Sequence, residues 1–309
     1  MARTQLSAVV PVFGCADCLP ALHDRLGAGL AQVTGDYEIV LVDDRSPDGA
    51  WPLIQRLARA DPRVRGVRLS RNFGQHAAIT AGLAAARGEW VVVMDCDLQE
   101  PPELIPALHA KAQEGFDLVH TVRRRRQTAF RRAAGAAYFR LRNLLTGTPT
   151  GADHGTMSLL SRKVVDTFLR LQDAHREYLI LLHWLGFEAA TVEMEAADRH
   201  AGRSSYTLGR LLRVAVDGLF FQTTRLLRWI VGLGLLVALL GFGLAAFYVV
   251  QRLTNDTTPP GYTSLAVLLL VLSGVVLVSL GVVGLYVGKV FDQVKGRPLY
   301  VVDEEVGGP

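Results

Sequence analysis

The chain is poor in several things that would each point to a different kind of protein. Among its 309 residues there are only three cysteines, Cys15, Cys18 and Cys96. Cys15 and Cys18 form a C-x-x-C, but no second pair follows, so a four-ligand zinc site of the finger type is excluded. The reading preferred for the thiols is small buried residues in a reducing compartment; a redox C-x-x-C is the alternative. No secretory leader is apparent: Met1 leads almost directly into the apolar run Leu6–Val10, which places the first part of the chain in the cytoplasm. No nucleic-acid module or aromatic interleaving accompanies the basic clusters, which argues against a nucleic-acid partner. Acid and base residues are absent altogether from Trp229–Val250 and from Leu265–Gly288.

Those two stretches organise the rest. Each exceeds the roughly 20 apolar residues that a helix needs to cross a bilayer. The intervening 251–264 holds Asn255, Asp256, Pro259, Pro260 and Gly261 and reads as a turn-rich loop. Arg225 and Arg228 precede the first stretch, and Lys289, Lys295 and Arg297 follow the second. The positive-inside rule puts both flanks in the cytoplasm and the loop outside. The net charge of +4 is clustered: Arg123–Arg126, then Arg131, Arg132, Arg140 and Arg142, then Arg210 and Arg213. Basic clusters beside membrane spans suit anionic head groups. The segment Thr128–Leu145 has apolar residues at helical spacing among arginines, and reads either as an interfacial helix or as a surface helix of the domain. Tyr206–Gln222 reads as interfacial.

Before residue 200 the pattern alternates. Short β-branched runs at Leu6–Val10, Tyr37–Val42, Val64–Leu69, Trp90–Met94 and Asp117–Val122 read as strands buried on both faces. Helical stretches at Leu19–Val33, Ala50–Ala60, Gln75–Ala86 and Pro101–Glu114 lie between them. The fold class is therefore α/β, a doubly wound, mostly parallel sheet. Ligands of such sheets bind at the carboxyl ends of the strands. Pro11, Asp43–Asp44, Arg71–Asn72 and Asp95–Asp97 all fall there.

Two carboxylates one residue apart, Asp95 and Asp97, can turn together toward Mg2+ or Mn2+, with Gln99 as a further oxygen donor. Asp43 and Asp44 precede Arg45-Ser46-Pro47-Asp48-Gly49; they read as turn and cap residues, or as acceptors for a nucleotide's base or ribose.

Taken in order, Val9-Val10-Pro11, Val42-Asp43-Asp44-Arg45-Ser46-Pro47-Asp48-Gly49, Arg71-Asn72-Phe73-Gly74-Gln75 and Asp95-Cys96-Asp97-Leu98-Gln99-Glu100-Pro101 resemble family 2 glycosyltransferases of the GT-A fold. Arg199-His200-Ala201-Gly202-Arg203-Ser204-Ser205-Tyr206 and the two apolar stretches narrow the resemblance to the polyprenyl-phosphate branch. That branch includes dolichol-phosphate mannosyltransferase and the bacterial undecaprenyl-phosphate glucosyl- and aminoarabinosyltransferases.

The resemblance implies a domain over 1–200, juxtamembrane helices over 201–228, two spans over 229–288 and a cytoplasmic tail over 289–309, in an inner membrane. It implies a nucleotide-sugar donor, a polyprenyl-phosphate acceptor and an inverting transfer. The donor expected is UDP-glucose or a related UDP-sugar; GDP-mannose, or a silent scaffold, is the alternative. Pro11, Phe13, Val42, Asp44, Arg71, Asp95, Cys96 and Ser205 would line the nucleotide pocket. Asp95, Asp97 and Gln99 would hold the metal, and Arg123 and Arg199 would meet phosphate, so that Asp97, Arg123 and Arg199 carry the catalysis. Cys15, Cys96 and Ser205 depart from the family's usual Glu or Asn, Ala and Lys, and Arg203 could stand in for that Lys. A homotetramer and a separate flippase are implied as partners.

Overall fold

The computed structural model describes residues 4–124, 154–173, 176–195 and 261–307, with interspersed positions between 230 and 254. Eight strands form one sheet: β1 (Leu6–Val12), β2 (Tyr37–Asp43), β3 (Val64–Leu69), β4 (Trp90–Val93), β5 (Leu118–Arg124), β6 (His154–Ser161), β7 (Ala189–Glu195) and β8 (Val302–Val306). Their order is β7-β5-β6-β4-β1-β2-β3-β8. The centre, β4-β1-β2-β3, is parallel, and so is β5 with β7. β6 runs antiparallel between β4 and β5, and β8 runs antiparallel along β3.

The period-2 alternation of the strands divides the core into two faces. Ala8, Val10, Ile39, Leu41, Val92 and Met94 point to one side, and Val9, Val40, Val42, Val91 and Val93 to the other. The first side is covered by α1 (Leu19–Ala31), α2 (Ala50–Ala60) and α4 (Ile105–Ala112), through Leu22, Leu26, Ile54 and Leu108 among others. The second is covered by α3 (Gln75–Ala85), α5 (Arg162–Arg170) and α6 (Tyr178–Leu185), through Ile79, Leu83, Phe168 and Tyr178. Helix α3 lies so close to the sheet that a Cβ on Gly82 would run into Val9; glycine is there for approach, not for a turn.

Three sequence expectations are revised. Pro11 does not end β1: it lies inside the strand, opposite Val42. Pairing with β4 stops at Val9, so no strand partner waits there for the N–H that proline lacks. The C-terminal segment is not merely a tail: Val302–Val306 closes the sheet at the β3 edge. Glu304 accepts from the Trp51 indole N–H at 2.9 Å and from Gln55 Nε2 at 2.9 Å, and Asp303 pairs with Arg45 at 2.6 Å. Finally, the loop expected over 251–264 gives way at Tyr262 to a 33-residue helix, α7 (Tyr262–Val294).

The chain divides into two units, one containing the sheet and residues 297–309, the other containing 206–296. In the second, α7 carries Leu272–Val294, which among the described residues is the one stretch long and apolar enough to cross a membrane. Most of Trp229–Val250 lies outside the described residues; the positions described there, such as Ile230, Leu236 and Leu240, are helical. The segments Thr128–Leu145 and Tyr206–Gln222 lie outside the described residues.

At the far end of the sheet from the strand-end loops, Asp61 follows α2 and receives Arg63 through Nε and Nη2, each at 2.9 Å. The Arg63 guanidinium, helped by the Arg63 backbone N–H and His23, holds the Asp61 carboxyl down to about 2 against the burial that would raise it. Its stabilising contribution is therefore complete above the unfolded carboxylate value near 4 and is lost as the pH falls from there through about 2. Asp61→Asn is expected to remove about 1–2 kcal/mol at pH 7 and to flatten the acid limb of stability between about pH 4 and 2, read by urea unfolding at stepped pH. An unchanged acid limb would remove Asp61 from this role.

Candidate active site

The parallel strands β1, β2 and β4 are neighbours and end on the same edge, so the loops that follow them meet. After β1 come Phe13, which is 52% exposed, and Gly14. After β2 come Asp44, Arg45 and Ser46. The two loops are stitched together: Gly14 N–H donates to Ser46 Oγ at 2.7 Å, and Ala16 N–H to Asp48 Oδ2 at 2.8 Å. Partial burial alone would raise the Asp48 carboxyl, but the Ser46 hydroxyl and the Ala16 and Ala50 N–H groups outweigh it and hold the pKa below the ordinary value.

Asp43 and Asp44 are both buried. Asp43 Oδ1 accepts from Ser46 N–H at 2.9 Å, and its Oδ2 faces Arg68 Nε at 3.3 Å. Asp44 Oδ1 accepts from Phe73 N–H at 2.7 Å and its Oδ2 from Gly74 N–H at 2.9 Å. Burial pushes both carboxyls up, and these hydrogen bonds act in the opposite direction. Asp44 is thus the tie between the end of β2 and the Arg71-Asn72-Phe73-Gly74 loop that opens α3. Arg71 lies exposed with its guanidinium 4.3 Å from the Phe73 ring centroid.

Beyond β4 the chain alternates. Asp95, Asp97 and Gln99 stay partly exposed, whereas Cys96, Leu98 and Glu100 turn inward. The three oxygen donors expected to hold a metal therefore all keep some exposure, while the residues between them are buried. Asp95 Oδ1 accepts from Gln75 Nε2 at 2.7 Å, and Asp97 Oδ1 from Gln99 N–H at 3.2 Å. Among the described residues no group of three or more His, Cys, Asp or Glu is placed so as to hold a metal ion by itself. Two half-exposed carboxylates and an amide leave most of a hard cation's six positions to water and to a ligand's phosphates, which is how Mg2+ and related ions are commonly held. The residues present fit such an ion.

The backbone is unusual in these loops. Among the described non-glycine residues, positive φ occurs at Arg45, with 57°, and at Leu98, with 59°. Both lie in the strand-end constellation, where uncommon backbone states tend to be kept for function.

The cysteines are arranged differently from the sequence reading. Cys15 is joined to Cys96 by a disulfide across 81 residues, and Cys18 is the free, buried thiol. Cys15 and Cys18 occupy one short 3-10 turn, with Cys18 N–H bonded to the Cys15 carbonyl, while adjacency of β1 and β4 brings Cys96 within reach of Cys15.

The remaining expected site residues divide. Pro11 and Val42 are buried in the sheet, and Val42 packs in the core beneath α3, with no side-chain surface to offer a ligand. Arg123 lies near the carboxyl end of β5, opposite Met194 of β7; β5 runs the same way as β4, with β6 between them, so Arg123 falls at the same sheet edge, two strands from the Asp95–Gln99 loop. Arg199, Arg203 and Ser205 lie outside the described residues. Glu100, 1% exposed beneath the Asp95–Gln99 loop, was not singled out by the sequence; an added Cβ on Gly155 of β6 would collide with its carboxylate.

Residues 7–169 match Glycosyl transferase family 2. The chain is 36% identical over 310 residues to an undecaprenyl-phosphate 4-deoxy-4-formamido-L-arabinose transferase of Klebsiella pneumoniae, covering 99% of this chain and 94% of that one. It is 36% identical over 305 residues to an uncharacterized glycosyltransferase of Bacillus subtilis, covering 98% and 94% of the two chains. Glucosyl-3-phosphoglycerate synthase from Mycobacterium tuberculosis, solved with Mn2+ and uridine-diphosphate-glucose, superposes with a TM-score of 0.50 at 18% identity, over 72% of this chain and 79% of that one. That likeness is one of fold.

Proposed function

Because the chain belongs to glycosyl transferase family 2, we propose that it moves a sugar from a nucleotide-sugar, a UDP-sugar in preference to GDP-mannose, onto a membrane polyprenyl phosphate. The observation that carries this reading is the meeting of Asp44, Asp95, Asp97 and Gln99 at one sheet edge, in a chain similar over nearly its whole length to an undecaprenyl-phosphate sugar transferase.

A lipid monophosphate needs no general base. Its second pKa, about 6 by analogy with phosphorylated side chains, leaves it mostly dianionic at pH 7 and already nucleophilic. The protein's tasks are alignment and charge neutralisation. Asp95, Asp97 and Gln99 would hold Mg2+ or Mn2+, which supplies charge neutralisation to the departing nucleoside diphosphate. Asp44, through its hold on Phe73 and Gly74, fixes the loop bordering the nucleotide pocket. Arg123 and Arg199 are assigned to phosphate. A single displacement inverts the anomeric centre, so an α-linked donor gives a β-linked product.

Connectivity supports an integral inner-membrane protein with two spans. β8 is hydrogen-bonded into the same sheet as β1–β7, so the chain that leaves after 205 has returned to the same side of the membrane by 297. A chain that crosses once between those points crosses again. Helix α7 accounts for one, being about 50 Å long against about 30 Å of hydrocarbon. Trp229–Val250 is the remaining apolar stretch. A homotetramer and a partner flippase belong to the same reading.

The test uses the full chain in lipid nanodiscs with undecaprenyl phosphate, Mn2+ and a panel of radiolabelled UDP- and GDP-sugars. Label is expected in the lipid fraction with a UDP-sugar, strictly dependent on the lipid phosphate. Transfer from GDP-mannose alone would correct the donor, and nucleotide release indifferent to lipid phosphate would reject the acceptor.

A further inference from the structure

We propose that Cys15 and Cys96 are a reversible dithiol–disulfide pair whose oxidation state sets the metal affinity of the Asp95–Gln99 loop. The inference rests on the metal reading of that loop. Cys96 lies between the two candidate ligands, and Cys15 ends the loop that follows β1. Their Cα atoms are 6.4 Å apart, within the span that a disulfide bridges without backbone movement, and the bridge is in place. Its location is what gives it consequence. On the Cys15 side, Gly14 and Ala16 are bonded to Ser46 and Asp48, so the bridge joins the ends of β1, β2 and β4 into one frame. On the Cys96 side it holds one inward-turned residue of a loop whose outward-turned residues are Asp95, Asp97 and Gln99.

The same loop contains Leu98 at a φ of 59°, a state that leucine adopts only when its surroundings enforce it. Burial of Leu98, 2% exposed, is one such constraint, and the bridge two residues away is another. Reduction leaves the hydrophobic anchor and removes the covalent one. The carboxylates then have to be ordered by the metal itself, and that ordering subtracts from binding. Cys15 follows exposed Phe13 and Gly14 at the strand-end edge; Cys15 and Cys96 are each 8% exposed, against 4% for Cys18 at the start of α1.

The chemistry balances with a low-molecular-weight disulfide as oxidant. A thiolate of the pair attacks the reagent, forms a mixed disulfide and expels one thiol. The second cysteine then attacks the mixed disulfide, closes the Cys15–Cys96 bond and expels the other. Two electrons and two protons leave the protein's thiols and appear as two reagent thiols; dithiothreitol reverses the exchange.

The experiment equilibrates the full chain in nanodiscs with glutathione disulfide or with dithiothreitol and removes the reagent. It then measures Mn2+ binding by the loss of the free-ion paramagnetic signal, with no donor or acceptor present. Alkylation in denaturant and mass spectrometry count the thiols in the same samples. One alkylated cysteine, Cys18, is expected after oxidation and three after reduction, with Mn2+ binding about three- to tenfold weaker in the reduced protein. Cys15→Ser and Cys96→Ala should each match the reduced protein under both conditions, and Cys18→Ala should keep the difference. Three alkylated cysteines under both conditions, or equal Mn2+ affinity in the bridged and reduced proteins, overturns the inference. A bridged protein that binds no Mn2+ overturns the metal reading itself, which equal affinities do not.

Discussion

Asp97→Asn is expected to lower sugar transfer by about 10²–10³-fold, or roughly 3–4 kcal/mol of transition-state stabilisation, while leaving the folded protein almost as stable as before. The two halves of that expectation have separate physical causes. Loss of activity follows from the charge: an amide oxygen is a far weaker ligand for a hard cation than a carboxylate, and the departing diphosphate then develops its charge without full neutralisation. Retention of fold follows from shape and exposure. Asp97 is only partly buried, and the bond from Gln99 N–H to its Oδ1 is kept by the asparagine oxygen. A stability change within about 0.5 kcal/mol follows for a site of that kind. Turnover with saturating Mn2+ and the thermal midpoint, measured on the same preparation, check both halves. Wild-type turnover would remove Asp97 from the metal. A large fall in the midpoint would mean that the loop depends on the charge for its own order.

The contrast between what the residues announced and what the fold added is instructive at particular positions. Strands β1, β2 and β4 were legible because Ala8–Val10, Ile39–Val42 and Val91–Val93 are apolar runs with helices between them, a pattern that a sheet covered on both faces explains. β6, His154–Ser161, carries Gly155 and two serines and has no β-branched run, so its local signal is weak; it is recruited by its neighbours β4 and β5. β8, Val-Asp-Glu-Glu-Val, reads locally as a solvated acidic tail. It becomes a strand because Glu304 meets the Trp51 indole and Val306 packs beside Gly66, partners more than 200 residues earlier. The disulfide was hidden for the same reason. Spacing pairs Cys15 with Cys18, whereas adjacency of β1 and β4 pairs it with Cys96. The Asp95–Gln99 loop was visible as a local motif; the frame that holds it is a property of topology.

Asp44→Ala is expected to do what Asp97→Asn does not: lower stability by about 2–5 kcal/mol and weaken donor binding together. Asp44 is 2% exposed, and both of its oxygens accept backbone N–H groups, from Phe73 and from Gly74. Alanine leaves those two donors without their partner, at about 1–3 kcal/mol each when shielded from water. At about 2–4 °C per kcal/mol for a domain of this size, the midpoint should fall by roughly 5–15 °C. Burial raises the Asp44 pKa, so ionisation works against the fold as the pH rises above the ordinary carboxylate value near 4, and the two N–H bonds oppose that effect. The wild-type side chain is therefore retained at neutral pH because the loop needs both oxygens, and Asp44→Asn, which keeps one acceptor, should fall between alanine and wild type. Donor KM should rise in the same order, alanine above asparagine above wild type, if the Arg71–Gly74 loop borders the nucleotide pocket as proposed. If the midpoint falls in that order but KM stays constant, Asp44 is a support of the sheet edge alone. A rise in KM for asparagine as large as for alanine, with the midpoint of asparagine near wild type, would instead place the carboxylate in direct contact with the nucleotide.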